Sequence, residues 1–224
     1  MGPRQAGKTT IVKHLQQKLK QQKKQTVFLN LDIERDFSLF ESQERLLQSL
    51  RSMVGMEPAY IFLDEFQRKE DGGRFLKGLY DMDLPYKFVV TGSGSIELKE
   101  KVHESLSGRK RLFEVLPLSF VEYFNFRTDY QYQGWERLAD FALLDPQRYN
   151  TVFQEYLAYG GYPRLALEKR SQEKQKLIQE IYDSYLIKDV AALLNVERTG
   201  AFRRLIKLLA ALNGKLVNVS SANG

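Results

Sequence analysis

The chain reads as an α/β protein with a mostly parallel sheet flanked by helices, followed by a helical region. Three observations predict this. Short apolar runs alternate with stretches of helical periodicity up to residue 116. One of those runs ends in two acids, Asp64-Glu65, the form of a central parallel strand whose carboxyl end meets a site. From Leu118 onward helical spacing takes over and no further buried-strand pattern follows.

The elements follow in order. Ile11, Val12, Leu15 and Leu19 recur at helical spacing and predict a helix over 9–20. Residues 26–33 (TVFLNLDI) read as a buried strand. Leu46, Leu47, Leu50, Met53 and Val54 form the next helical face, which Gly55 and Pro58 terminate. Residues 59–63 make the acid-tipped strand, 74–80 a helix, and 86–90 a further strand ending in Thr91-Gly92-Ser93-Gly94-Ser95. A helix is expected over 96–105, with Ser95 as its N-cap, and a last strand over 111–116 before Pro117. Phe120, Tyr123, Phe124 and Phe126 share one helical stripe and are expected in a core. Gly160-Gly161-Tyr162-Pro163 ends a helix centred on Phe153, Tyr156 and Leu157, and long helices are expected over 172–194 and 199–212. The change of pattern falls between residues 117 and 145. The expected partition is an α/β domain over 1–117, a helical lid or adaptor over 118–197 and a short remaining segment over 198–224.

The clearest chemical signal stands at the start. Gly2-Pro3-Arg4-Gln5-Ala6-Gly7-Lys8-Thr9 has the form G-x-x-x-x-G-K-T. Glycines let backbone N–H groups turn inward around phosphate oxygens, and the following helix adds the positive end of its dipole. Lys8 would reach β- and γ-phosphates, and the Thr9 hydroxyl would ligate Mg²⁺. The acid-tipped strand supplies the complement. Asp64 would aim at Mg²⁺ and Glu65 would polarise an attacking water. Ser93, at the end of the strand expected beside it, could sense the γ-phosphate or hold that water, although a Gly/Ser turn capping a helix has the same pattern. Arg109, in the basic turn Ser107-Gly108-Arg109-Lys110-Arg111, could reach a nucleotide of its own or a neighbouring subunit; a solvated basic loop is the plain alternative.

Composition bounds the remaining possibilities. The 224 residues hold 43% hydrophobic and 28% charged residues, a globular balance with room for one α/β domain and a smaller appendage. No apolar run approaches a membrane span, no leader pattern precedes the loop, and Cys is absent, so a cytoplasmic setting is expected. The net charge of +6 suits anionic partners. Much of it lies in residues 16–25 (QQKLKQQKKQ), which read most simply as the solvated end of the first helix. His14 and His103 are the only histidines and have no ligand-like spacing around them, so metal chemistry beyond nucleotide-bound Mg²⁺ has no support.

Taken in series, GPRQAGKTT, YIFLDEFQR, VVTGSGS, SGRKRLFEVLPLSFVEYF and EYLAYGGYPRLAL resemble the prokaryotic AAA+-like ATPases of the AAA_14 type, commonly joined to a DUF4143 C-terminal domain. The resemblance implies a P-loop NTPase (AAA+-like) fold with ATP and Mg²⁺ as cofactors. ATP would be held by Gly2, Pro3, Arg4, Gln5, Ala6, Gly7, Lys8, Thr9 and Thr10. The metal would be held by Thr9 and Asp64, with Glu65, Lys8, Ser93 and Arg109 in catalytic or sensing roles. Mg-dependent ATP hydrolysis is the expected parent activity.

The family has a strand before the phosphate loop, and here Met1 alone precedes Gly2; a winged helix is only begun over 201–221. The sequence is therefore expected to be a fragment at both ends, with the loop held from its helix side alone and ATP affinity and turnover weakened. Two other readings stay open. A P-loop small-molecule kinase is disfavoured by a water-polarising Glu65. An ATP-switched nucleic-acid-binding regulator would use Arg203, Arg204 and Lys207 on one helix, reaching DNA through a complete winged helix. A homo-oligomer is compatible with all readings, and the sequence names no protein partner.

Overall fold

A computed structural model of the chain describes residues 1–92, 106–133, 135–184 and 199–212. Strands β1 (Gln25–Asn30), β2 (Ala59–Asp64) and β3 (Tyr86–Val90) form a parallel sheet in the order β1-β2-β3. The register sets Asn30 beside Asp64 and Leu63 beside Val90. Helix α1 (Lys8–Gln21) covers one face, while α3 (Gln43–Val54) and α4 (Gly72–Asp81) pack on the other; the short α2 (Glu34–Phe37) follows β1.

Strand β2 explains this sandwich. Ala59, Ile61 and Leu63 join the core with Leu46, Leu50, Phe75 and Leu79, whereas Phe62 turns to Val12 and Leu19 of α1. Ile61, Phe62 and Leu63 are fully buried, so neither face of the strand tolerates a polar residue. Burying each such side chain contributes about 1.5–3 kcal/mol. Strand β1 is shorter than its apolar run suggests. The Asn30 side chain accepts the Asp32 N–H (3.0 Å) and turns the chain away after one further bond, Leu31 N–H to the Asp64 carbonyl (3.0 Å).

Helix α3 starts at Ser42, whose side chain accepts the Arg45 N–H, and stops at Gly55 with φ 65°. The basic stretch after α1 is exposed, as expected of a solvated helix end.

Residues 111–116 do not form the expected last strand. The Met1 nitrogen donates to the Phe113 carbonyl (2.5 Å) and the Val115 N–H donates to the Met1 carbonyl (2.7 Å). Two bonds around one residue do not build a ladder, and the segment's apolar side chains stay out of the core, Phe113 being 66% exposed. The helix expected over 96–105, with Ser93, Ser95 and His103, lies outside the described residues.

The helical region comprises α5 (Phe120–Arg127), α6 (Trp135–Leu144), α7 (Pro146–Tyr159), α8 (Pro163–Leu167), α9 (Ser171–Ser184) and α10 (Thr199–Ala211). A reciprocal Ser119–Glu122 capping box opens α5, and Asp145 with Pro146 opens α7. The aromatic stripe is a core: Tyr123 and Phe124 are buried with Leu138, Phe141 and Val152. Phe124 meets the Phe141 ring edge-on at 5.0 Å. Beyond Ser184 the long helix expected to 194 falls outside the described residues, as does the segment after Leu212. The described residues divide into two compact units, Met1–Gln175 and Lys176–Gly224. Within the second, Arg203 pairs with Asp183 at 2.8 Å.

Candidate nucleotide site

The phosphate loop forms a tight turn because two of its residues take left-handed backbone, Gln5 (φ 60°) and Gly7 (φ 94°). Gly7 accepts this without a Cβ penalty and delivers the chain into α1, where its carbonyl takes the Ile11 N–H (3.0 Å). Lys8, at the first turn of α1, is buried; its Nζ donates to the Gly2 (2.8 Å) and Pro3 (2.7 Å) carbonyls. The ammonium thus fastens the loop to its own entry segment.

The loop is therefore not supported from its helix side alone, contrary to expectation. Met1 is tied to residues 113–115, and Pro163 lies against the turn: a Cβ at Gly7 would sit 3.8 Å from Pro163 Cγ. That proline is itself held. Gly160 ends α7 with φ 73°, the Gly161 carbonyl accepts the Leu118 N–H (2.7 Å), and the Tyr156 hydroxyl donates to the Leu118 carbonyl (3.0 Å).

Asp64 ends β2 with 1% exposure and takes a hydroxyl on each oxygen. Thr9 Oγ1 donates to Oδ2 (2.8 Å), and Thr91 Oγ1 donates to Oδ1. Glu65 follows in left-handed backbone (φ 56°), opening a 3₁₀ turn over Phe66–Arg68, and Gln67 Nε2 donates to its Oε2. Arg68 pairs with Asp32 at 2.7 Å and joins this turn to the loop after β1.

The residues fit Mg²⁺ and a nucleotide phosphate chain. Thr9 Oγ1 and Asp64 Oδ2 are hard oxygen donors 2.8 Å apart. That spacing matches one edge of an octahedron whose ligands stand about 2.0–2.1 Å from its centre. Lys8 beside a turn with left-handed glycine backbone is the matching anion-binding part.

Sequence reasoning placed Lys8, Thr9, Asp64 and Glu65 together, and the fold does bring them to one edge of the sheet. Arg109 lies elsewhere. It pairs with Asp81 (3.5 Å) and its guanidinium lies 5.7 Å from the Tyr80 ring centre, at the end of α4. Because α4 runs back from the acidic edge towards the start of β3, Arg109 lies towards the opposite end of the sheet from Asp64. Ser93 is outside the described residues. Three contributors were missed: Thr91, Gln67 and Pro163. None of the three carries a usable signal in the sequence: the place of Thr91 beside Asp64 follows from the strand register, in which Leu63 pairs with Val90.

The model of the AAA_14 family, an AAA domain, matches residues 1–124, more than half of the chain. The chain belongs to the AAA_14 family. As an AAA domain it is an AAA+ nucleotide-binding protein. A second match, to the domain of unknown function DUF8612, covers residues 150–224 of this AAA_14 protein. Similar proteins include MJ1544 of Methanocaldococcus jannaschii, 26% identical over 194 residues (86% of this chain, 40% of that protein). An uncharacterized Haemophilus influenzae protein is 27% identical over 233 residues, 98% of this chain and 52% of its own length. The chain thus spans about half, or less, of the length of these relatives. A solved structure, the Aeropyrum pernix ORC1 protein in complex with DNA, aligns with TM-score 0.40 and 13% identity over 100% of this chain and 74% of that one. No helix among the described residues is long and apolar enough to cross a membrane.

Proposed function

We propose that this AAA_14 protein binds ATP with Mg²⁺ and hydrolyses the β–γ bond to ADP and phosphate. The observation that carries this reading is the junction of Thr9, Asp64 and Thr91 beside Lys8, with Glu65 next in the chain. When bound, Mg²⁺ neutralises charge on the β- and γ-phosphate oxygens. Thr9 and Asp64 hold that ion. Lys8 exchanges its bonds to the Gly2 and Pro3 carbonyls for phosphate oxygens, where its charge stabilises the transferring phosphoryl group. Glu65 orients a water and accepts its proton as the water oxygen attacks the γ-phosphorus. The bond from that phosphorus to the β–γ bridging oxygen breaks, and ADP leaves with the electron pair. Ser93 belongs to this reading as the sensor.

Arg109 serves a neighbouring subunit in this reading, since it lies towards the opposite end of the sheet from Asp64 in its own chain. A homo-oligomer follows from that role, and a cytoplasmic setting accompanies it. The partition at residues 117 and 197 belongs to the same reading, and the separate aromatic core of the helical region supports its boundary at 117. DNA contact through a complete winged helix is the second reading, and it gains little from α10, where Arg203 is engaged by Asp183. The direct test is phosphate release from ATP, with and without Mg²⁺, by the wild type and by Lys8→Ala; the alanine variant should neither bind nor cleave ATP.

A further inference from the structure

Thr91 is bonded to both sides of the acidic pair. Its N–H donates to the Leu63 carbonyl (2.8 Å), one residue before Asp64, and its carbonyl accepts the Phe66 N–H (3.0 Å), one residue after Glu65. Between these two anchors its hydroxyl donates to Asp64 Oδ1. Thr91 is 7% exposed and Asp64 1%, so little water reaches this contact. The torsion that turns an aspartate carboxylate is soft and nearly two-fold. A donor fixed by backbone on both sides removes that freedom. With Oδ1 occupied, Oδ2 is left facing Thr9 Oγ1 at 2.8 Å.

The geometry points to Thr91 as a positioning residue for Asp64: its hydroxyl holds the carboxylate in the one orientation that presents Oδ2, with Thr9, to the divalent cation of bound nucleotide. This rests on the Mg·ATP reading of the site. It assigns the metal-orienting task to the first hydroxyl after β3 and leaves the second, Ser93, to any phosphate-sensing role. Outer partners of a metal ligand typically matter 10–100-fold in metal affinity, and a buried carboxylate with one oxygen left without a donor is the setting for such an effect.

The test is Mn²⁺ affinity of the ATP complex, read from the free-Mn²⁺ paramagnetic signal, alongside ATP affinity in excess chelator. Thr91→Val should weaken Mn²⁺ binding about 10–100-fold with ATP affinity in chelator unchanged, and Thr91→Ser should restore wild-type values. Should the valine variant not fold, Thr91→Cys, a weak donor of similar volume, decides instead and should lose Mn²⁺ affinity several-fold. Wild-type Mn²⁺ affinity in folded Thr91→Val, or in Thr91→Cys, overturns the Thr91 role while leaving the nucleotide site standing. Absence of ATP and Mn²⁺ binding in the wild type overturns the site reading, and the Thr91 role with it.

Discussion

Gln67 donates its side-chain amide to the Glu65 carboxylate, two residues away across the 3₁₀ turn that follows β2. Glu65 sits in left-handed backbone, a conformation that costs a non-glycine residue about 1–2 kcal/mol, so the surrounding turn holds it there. This bond gives Glu65 a defined orientation. Replacing Gln67 by Ala frees the carboxylate, and by Glu sets a like charge against it. Either change should lower kcat for ATP hydrolysis roughly ten- to a hundredfold, the worth of one hydrogen bond to a charged group, while ATP affinity stays near wild type. Steady-state kinetics with a separate nucleotide-binding titration checks the split; a raised Kd with unchanged kcat would place Gln67 in binding instead.

The adjacent glycines 160 and 161 are required for different reasons. Gly160 has φ 73° with open space around its missing Cβ, so Gly160→Ala should cost only the backbone term, about 1–2 kcal/mol. A Cβ on Gly161 would stand 1.9 Å from the Leu118 carbonyl oxygen, which is backbone and cannot step aside. Gly161→Ala should therefore break the Leu118–Gly161 clamp, cost about 1–3 kcal/mol or more, and move Pro163 away from Gly7. Urea midpoints measure both variants, and weaker ATP binding should accompany only the second.

A partly buried ionic cluster ties α5, α7 and the start of α9 together. Glu155 on α7 meets Lys174 on α9 and Arg127 on α5 (3.0 Å), and the Lys174 side chain is 3% exposed. Burial pushes the Glu155 carboxyl up, but the Lys174 hydrogen bond and the two positive charges outweigh it and hold it below its ordinary value. Burial, aided by the Glu155 charge, pushes the Tyr123 hydroxyl up. Glu155→Ala leaves Lys174 without this partner and should cost about 3–5 kcal/mol. The sign with pH follows from the depressed carboxyl. Its contribution is complete above the unfolded carboxylate value, about 4.3, and is lost as pH falls below it through the folded value. Urea melts from pH 7 to pH 3 should show the gap between wild type and Glu155→Gln closing in acid.

Arg109 offers a cleaner choice between structural and catalytic roles. Its contacts to Asp81 and Tyr80 are half-exposed and contribute little to stability. If it acts on a neighbour's nucleotide, Arg109→Ala should retain ATP binding and lose turnover by about 10³-fold or more. Mixing Arg109→Ala with Glu65→Gln should then restore partial activity, because each variant supplies what the other lacks. A variant with full turnover would confine Arg109 to the α4 surface.

Local pattern carried much of this fold. The continuous apolar run of β2, buried on both faces and ending in Asp64, and the left-handed Gly7 of the phosphate loop are both written in short windows, so Lys8, Thr9, Asp64 and Glu65 could be assembled from spacing alone. The segment around Phe113 could not, because a strand exists only where a partner pairs with it, and Met1 supplies two bonds. Thr91 was passed over for Ser93 because hydroxyls two apart look equivalent until register fixes which one neighbours Asp64. Pro163 reaches the phosphate loop across more than 150 residues of sequence, a relation no local window contains.

The proposed hydrolysis turns on Glu65 activating water on ATP held by Lys8, Thr9 and Asp64. Single-turnover phosphate release by wild type and Glu65→Gln, with bound ATP quantified in the same samples, tests it most directly. Glu65→Gln should retain ATP and Mg²⁺ at wild-type affinity and cleave the nucleotide about a hundredfold or more slowly. Cleavage at the wild-type rate would contradict it.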